Sequence, residues 1–448
     1  MSGANRINKG LAIAIAATFA VTLAGCSGNG GGAGGDVKQD ENSALEVWIR
    51  KAPDSPPAIT AQKFVDAFTE KTGIPTELTT IQDGFETKLE QAAAQKDLPD
   101  IIINDGAQGG NMADKGLVRT IDRSTFAADD QVKPQAWDQA TMTDGSVIGV
   151  PVNAQSFALF IRADWRKNLG LELPETWDDL DEMARAFTNE DPDGNGKNDT
   201  SGWVIPASTE RGYASWYFST FQYSAGGDVF SGEPGSYTPT NAAPETVEAA
   251  QWIQDQFCVD KTVAPGAITM DTSPAHQAFE AGVGGMYFTG PYNMARFDQS
   301  MGADTYEVVQ LPAGPSGESV SLAEGENVYL MAGSENQAGQ DAFAEFSVST
   351  EGQTILMNGD EEGNIVRVPV NVDMDIMDAR EDERWGVFQT AYENAKYVPA
   401  VPNWTPFRQM QAEALNTIWA DCGADVQAAM EELDTKMQAE LEAQGAGA

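Results

Sequence analysis

The sequence predicts an α/β protein of two lobes, each a doubly wound sheet flanked by helices. Three observations carry this reading. Residues 44–103 alternate strand and helix patterns in the order β-α-β-α-β, which implies a parallel sheet with crossover helices. Phe157, Ala158, Leu159, Phe160 and Ile161 form an unbroken apolar run, so a strand there is covered on both faces, as in a parallel sheet under helices. The chain has 448 residues, more than one core ordinarily organises.

In the first lobe, Ala44 to Arg50 reads as the opening strand. Ala61 to Lys71 sets Phe64, Val65 and Phe68 at helical spacing, and Gly73 supplies the stop. Thr76 to Thr80 is a second strand. Phe85 to Gln95 is a helix with Phe85, Leu89, Ala92 and Ala93 on one face, and Ile101 to Ile103 is a buried strand. Ligands of such sheets sit beyond the carboxyl ends of the strands. That places Lys51, Asp83, Asn104, Asp105 and Gln108 at the mouth of a site. Asp105 equally suits a helix N-cap, and Asp83 and Lys51 equally suit solvated surface.

Pro151 fixes its own φ and lacks a donor, so the chain is expected to bend there between two strands. Val150 to Gln155, with Asn153 on it, is read as passing from one lobe to the other. An ordinary segment of one αβ core would accommodate the same residues. Thr176 with Asp179 three positions on reads as a capping box, and Leu180, Met183, Ala184 and Phe187 follow at helical spacing.

Residues 191–199 read DPDGNGKND. Asp191, Asp193, Asn195 and Asp199 supply side-chain oxygens at loop positions one, three, five and nine. Gly196 stands where a calcium loop turns, and Lys197 would give its carbonyl. Position twelve is Gly202, so Thr200 or a distant acid would have to complete the shell. A structural calcium and a solvated turn both fit. Residues 203–230 are rich in aromatics, and Trp216 and Gln222 are candidates to face a ligand. His276, the single histidine, suits a packed or solvated imidazole better than a catalyst. Cys258 and Cys422 form either one disulfide or two buried thiols. As a disulfide they would close a loop of about 160 residues, worth about 5 kcal/mol in the chain-entropy account.

At the N-terminus, Arg6 and Lys9 precede an apolar run from Leu11 to Leu23, too short to span a bilayer but suited to a signal peptide. The run ends Leu23-Ala24-Gly25-Cys26, which resembles a bacterial lipobox. The resemblance implies cleavage of residues 1–25 and acylation of Cys26, an anchor to the outer face of the cell membrane. Residues 26–43 then hold a glycine-rich tether. Gly30 to Gly35 satisfies G-x-G-x-x-G, but no strand precedes it and no helix follows, so it is no nucleotide motif.

The net charge is −41, from 68 acids against 27 bases. Such a field repels nucleic acid and anionic lipid and suits a neutral or cationic ligand. No G-x-S-x-G elbow, zinc motif or usable phosphate loop appears, which leaves little to support an enzyme beyond the abundance of carboxylates.

The pattern IGVPVN…FALFIRADW…LGLELPETWDDL, with Pro174, Thr176 and Trp177, resembles the extracellular solute-binding proteins of ABC transporters, above all those that bind sugars and oligosaccharides like the maltose-binding protein. The LPDIIINDGA step, the GGMYFTGPY stretch and the step at Ser334, Asn336 and the helix Ala342 to Ser347 fit that resemblance. It implies a type II periplasmic-binding-protein-like fold joined by crossing hinge segments. One lobe would hold 44–152 and 325–370, the other 153–324 and 371–448. It implies ligand contacts from Tyr292, from Glu326 and Asn327 at the second crossing, and from Trp404 and Phe407, read as exposed in a proline-rich segment. It further implies a carbohydrate ligand, an ABC permease as partner, a monomer, and no catalysis. A peptide or polyamine ligand is the alternative, and a surface glycan-active enzyme a more distant one.

Overall fold

A computed structural model describes residues 38–448, apart from 54, 83, 359–366 and 380–381. The signal peptide, Cys26 and the glycine tether read from the sequence, and Asp83, lie outside the described residues. The chain begins with β1 (Leu45–Ile49), α1 (Pro56–Thr72), β2 (Thr76–Thr80), α2 (Phe85–Gln95), β3 (Ile101–Asp105), α3 (Gly109–Asp114) and β4 (Val150–Gln155). It continues through β5 (Ala158–Arg162), α4 (Ala163–Leu169), α5 (Trp177–Asn189), β6 (Ser201–Val204), α6 (Tyr213–Ser224), β7 (Phe230–Glu233), β8 (Ser236–Pro239), α7 (Pro244–Cys258), α8 (Thr272–Glu280), β9 (Gly284–Thr289), α9 (Met294–Met301) and β10 (Tyr306–Val309). It closes with β11 (Glu324–Leu330), α10 (Gln337–Val348), α11 (Thr350–Asn358), α12 (Ile376–Ala379), α13 (Arg384–Glu393), α14 (Thr405–Ala420) and α15 (Val426–Ala443).

Two main sheets result. The first has the order β2-β1-β3-β11-β4 and the second β10-β5-β9-β6. In the first, β1, β2 and β3 run parallel, as the alternation predicted, and β11 runs antiparallel between β3 and β4. In the second, β5 is buried on both faces, but both its neighbours are antiparallel. An unbroken apolar run reports cover, not strand direction, and a parallel neighbour was the wrong inference from it. The parallel pair of that sheet is β6 with β9.

Pro151 does not end a strand. It sits inside β4 opposite Asn327, where the register slips, and an irregular pairing tolerates the missing donor. The chain therefore stays in the first sheet as far as Gln155 and crosses at Ser156 and Phe157. It returns between β10 and β11. Strands β4 and β11 are bonded neighbours, so the two crossings run side by side.

Local chemistry explains the helices that frame the cleft. Ser55 caps α1, and Gly73 at φ 74° ends it. Thr176 and Asp179 form the expected reciprocal capping box on α5. Phe64 of α1 lies 5.0 Å from Phe346 and 5.3 Å from Phe343, both on α10, so two helices seal one face of the first sheet. A second core joins Trp165, Phe187, Trp203, Phe221 and Trp419 around α5, α6, α7 and α14. Cys258 at the end of α7 is bonded to Cys422 after α14, with Cα atoms 5.4 Å apart. Ahead of β1, the Asp40 amide donates to the Glu335 carbonyl and Asn336 Nδ2 to the Ser43 carbonyl, which pins the entering chain to the first lobe.

Candidate ligand-binding cleft

Strand geometry builds the floor. Side chains two apart on a strand share a face, so Glu324 and Glu326 of β11 stand beside Gln155 and Asn153, their register partners on β4. Gln155 Nε2 donates to Glu324 Oε2 at 3.0 Å, and Asn153 Nδ2 to Glu326 Oε2 at 2.7 Å. Lys51, just past β1, donates to Glu326 Oε1 at 2.5 Å. Burial pushes the Glu326 carboxyl up, but Lys51, Arg367 and Asn153 together pull it further down, to about 2.

Glu324 lacks such a partner. Burial raises its carboxyl above the ordinary range, against the pull of the Arg408 and Arg367 charges. Trp216, on the first turns of α6, donates Nε1 to Glu324 Oε2 at 3.2 Å, so a helix of the second lobe grips a strand of the first. Phe157 at the crossing holds the Trp216 ring edge to face, with centroids 4.8 Å apart. Trp404 precedes α14, and Arg408 follows one turn later on the same side.

These residues border a cleft between the lobes with about 810 Å³ of empty space open to solvent. Trp216, Trp404, Glu324 and Arg408 line it with Asp138, Gln139 and Tyr397. The wall is mostly apolar and aromatic with a few convergent polar groups, the usual character of a small-molecule site. Across the cleft mouth the lobes touch. A Cβ on Gly110 of α3 would fall 2.2 Å from the Pro402 carbonyl oxygen.

The structure places the predicted residues unevenly. Trp216 and Trp404 line the cleft, although Trp404 is only 5% exposed, its ring stacked on Phe407 with centroids 5.9 Å apart. Lys51, Asn153 and Glu326 form one network beside it and open onto a second cavity of about 760 Å³ beneath α1. Asp105 pairs with Arg50 at 3.0 Å and makes no side-chain helix cap. Tyr292 is half-buried near the crossing and accepts from Thr289 Oγ1 at 3.2 Å. Burial pushes its hydroxyl up to about 12.

Four expected contacts stand elsewhere. Phe407 is 0% exposed in the second core, because the proline-rich segment folds its aromatics inward. Gln222, also 0% exposed, donates to Thr246 and accepts from Gln411. Asn327 is fully buried, its Nδ2 donating to the Gln139 carbonyl and the Tyr329 hydroxyl. Gln108 faces a separate small cavity with Asn104, Asn111 and Lys115. His276 packs between the Tyr287 hydroxyl and Asn293, and burial lowers its pKa to about 3, which keeps it neutral.

Reading the sequence missed Glu324, Arg408 and Asp138. The first two carried a signal: Glu324 is two residues before Glu326 on an alternating strand, and Arg408 is four after Trp404 on a helix.

In the 191–199 loop, Asn195 Nδ2 donates to Asp193 at 2.7 Å and to Asp199 at 3.1 Å, while Asp191 accepts from the Asn195 and Gly196 amides. The positively polarised amide thus bridges two carboxylates. Among the described residues no three acids converge as a ready metal cluster. Thr200 is buried and donates to the Phe187 carbonyl, so it does not complete the shell.

Comparison with known proteins identifies the fold and the family. The chain is 26% identical to the fructooligosaccharide ABC transporter substrate-binding protein FusA of Streptococcus pneumoniae over 68% of its own length and 61% of FusA's, so it spans less than two thirds of that relative. It is 26% identical to the polygalacturonan/rhamnogalacturonan-binding protein YtcQ of Bacillus subtilis, over 77% of this chain and 68% of YtcQ. The GacH receptor of Streptomyces glaucescens shares the fold, with a TM-score of 0.76 at 18% identity over 90% of this chain and 99% of that one. Residues 53–354 match the model of the bacterial extracellular solute-binding proteins, and the chain belongs to that family.

Proposed function

We propose that the protein is the substrate-binding component of an ABC importer, and that it traps a carbohydrate between its lobes and passes it unchanged to the permease. One observation carries the reading. Trp216, Trp404 and Tyr397 line the same cleft as Glu324, Gln139 and Arg408, which bring planar hydrogen-bonding groups to it. Sugar rings present apolar faces and pairs of adjacent hydroxyls, which aromatic planes and bidentate groups suit. The names of FusA and YtcQ, an oligosaccharide and two polysaccharides, support the same ligand class.

The chain acts as a monomer, held to the membrane through acylated Cys26. The 191–199 loop holds a structural calcium through Asp191, Asp193, Asn195, Asp199 and the Lys197 carbonyl, which stiffens the turn and does no chemistry. A thermal-shift panel of mono- and oligosaccharides, followed by calorimetry on each hit, tests the ligand class. At least one oligosaccharide is expected to bind and be recovered intact. Hydrolysis of the hit would make the protein an enzyme, and binding of peptides or polyamines instead of sugars would remove the reading.

A further inference from the structure

The whole-molecule charge of −41 suits a neutral or cationic ligand, yet the cleft contains a feature of opposite sense. Arginines elsewhere among the described residues hold a carboxylate, as Arg119, Arg166, Arg296 and Arg384 do. Among the described residues Arg211, Arg367 and Arg408 have no carboxylate in salt-bridge range; the charge of Arg211 acts on Arg408, and those of Arg367 and Arg408 both act on Glu324. In a chain with 68 acids, an arginine left without a carboxylate at the cleft is not explained by a shortage of partners.

Arg408 is the one that lines the cleft. Its stem crosses Gly212, where a Cβ would fall 2.5 Å from Arg408 Cγ and 3.0 Å from Nε. The glycine, at φ 74°, gives the side chain its path. Nε donates to the Gly212 carbonyl at 3.4 Å. The remaining guanidinium N–H groups have no hydrogen-bond partner among the described residues. Burial lowers the Arg408 pKa, Glu324 and Asp105 opposing, whereas the hydrogen-bonded carboxylates of Glu307 and Glu280 raise those of Arg166 and Arg296. An enclosed guanidinium with unused donors in a fixed fork matches a carboxylate in bidentate geometry.

Glu324 on the same wall is already served, since it accepts from Trp216 and Gln155, while burial raises the Asp138 carboxyl against the pull of the Arg123 charge. Their presence favours a singly charged ligand group over a phosphate dianion. The acidic outer surface weighs little, because exposed charges are screened beyond about 8–10 Å at physiological salt.

We propose that the carbohydrate bound in this cleft is an acidic one, a uronate-containing oligosaccharide whose carboxylate is held by the Arg408 fork. The proposal rests on the carbohydrate reading above and narrows it. The test is calorimetry on the full folded chain with galacturonate, glucuronate and mannuronate oligosaccharides, their carboxyl-reduced neutral counterparts, maltotriose and glucose 6-phosphate. At least one uronide is expected to bind more than about ten-fold tighter than its reduced counterpart, with affinity falling as salt rises. Arg408→Gln should cost that uronide roughly 30-fold or more and leave the reduced form nearly unchanged, while Arg408→Lys restores part of the loss. Neutral sugars binding as tightly as every uronide would overturn the proposal and leave the carbohydrate reading standing. So would equal losses for both forms in Arg408→Gln, or a preference for the sugar phosphate. No binding by any sugar would overturn the broader reading first.

Discussion

Trp216 Nε1 lies 3.2 Å from Glu324 Oε2, and this single bond joins α6 of the second lobe to the first residue of β11 in the first. Trp216→Phe keeps the ring and removes the donor. The buried carboxylate loses one of two donors, so urea unfolding should fall by about 1–3 kcal/mol. Affinity for a bound oligosaccharide should drop roughly five-fold or more, and Trp216→Ala, which also removes the ring face, should lose more still. Unchanged affinity in Trp216→Ala would move the ligand away from this wall.

Glu326 makes stability depend on acid. Its folded pKa of about 2 lies below the ordinary 4.5, so the stabilisation is present above pH 4.5 and fades as pH falls towards 2. The difference corresponds to roughly 3 kcal/mol. Glu326→Gln strands Lys51 and should destabilise the protein at pH 7, yet narrow its gap to the native protein between pH 4 and pH 2. Urea melts across that range check both signs, and parallel pH curves for the two proteins would refute the assignment.

Gly110 meets Pro402 where the lobes touch, with no room for a methyl group. Gly110→Ala is expected to hold the lobes apart at a cost of about 1–3 kcal/mol in the closed form, a five- to hundred-fold weaker ligand. Neither core is disturbed, so thermal stability without ligand should barely move. Small-angle scattering checks the cause: the native radius should shrink on adding ligand, and the variant's should shrink less.

The Cys258–Cys422 bond closes a loop of 164 residues within the second lobe. Replacing both cysteines by serine should cost about 2–5 kcal/mol in chemical denaturation and leave ligand affinity near native, because neither residue borders the cleft. A large loss of affinity without a loss of stability would contradict that separation.

The 191–199 loop is tested by chelation. Chelator-treated protein should gain several degrees in melting temperature on adding calcium, roughly what 1–2 kcal/mol of binding linkage gives a chain of this size. Asp193→Asn should abolish most of the gain. A flat calorimetric titration with no thermal shift would reduce the loop to a solvated turn.

Much of the fold was legible because it rests on local pattern. The β-α-β-α-β order, the Thr176 cap and the Gly73 stop each depend on residues within one or two turns. Strand direction in the second sheet was not legible, since Phe157 to Ile161 records only that both faces are covered. The site was harder for the same reason. Trp216 and Trp404 were found from residue type, but Phe407, Gln222 and Asn327, chosen the same way, face inward, and distant neighbours such as Gln411 and Gln139 satisfy the two amides. Glu324 matters because of a tryptophan 108 positions away, and no local pattern announces that pairing.

The bonds from Asp40 to Glu335 and from Asn336 to Ser43 have a mechanical consequence. Among the described residues, a pull on Lys38 enters the folded body through the first lobe. If the chain is tethered at that end, the second lobe, which carries Trp216, Trp404 and Arg408, is the half left free to swing.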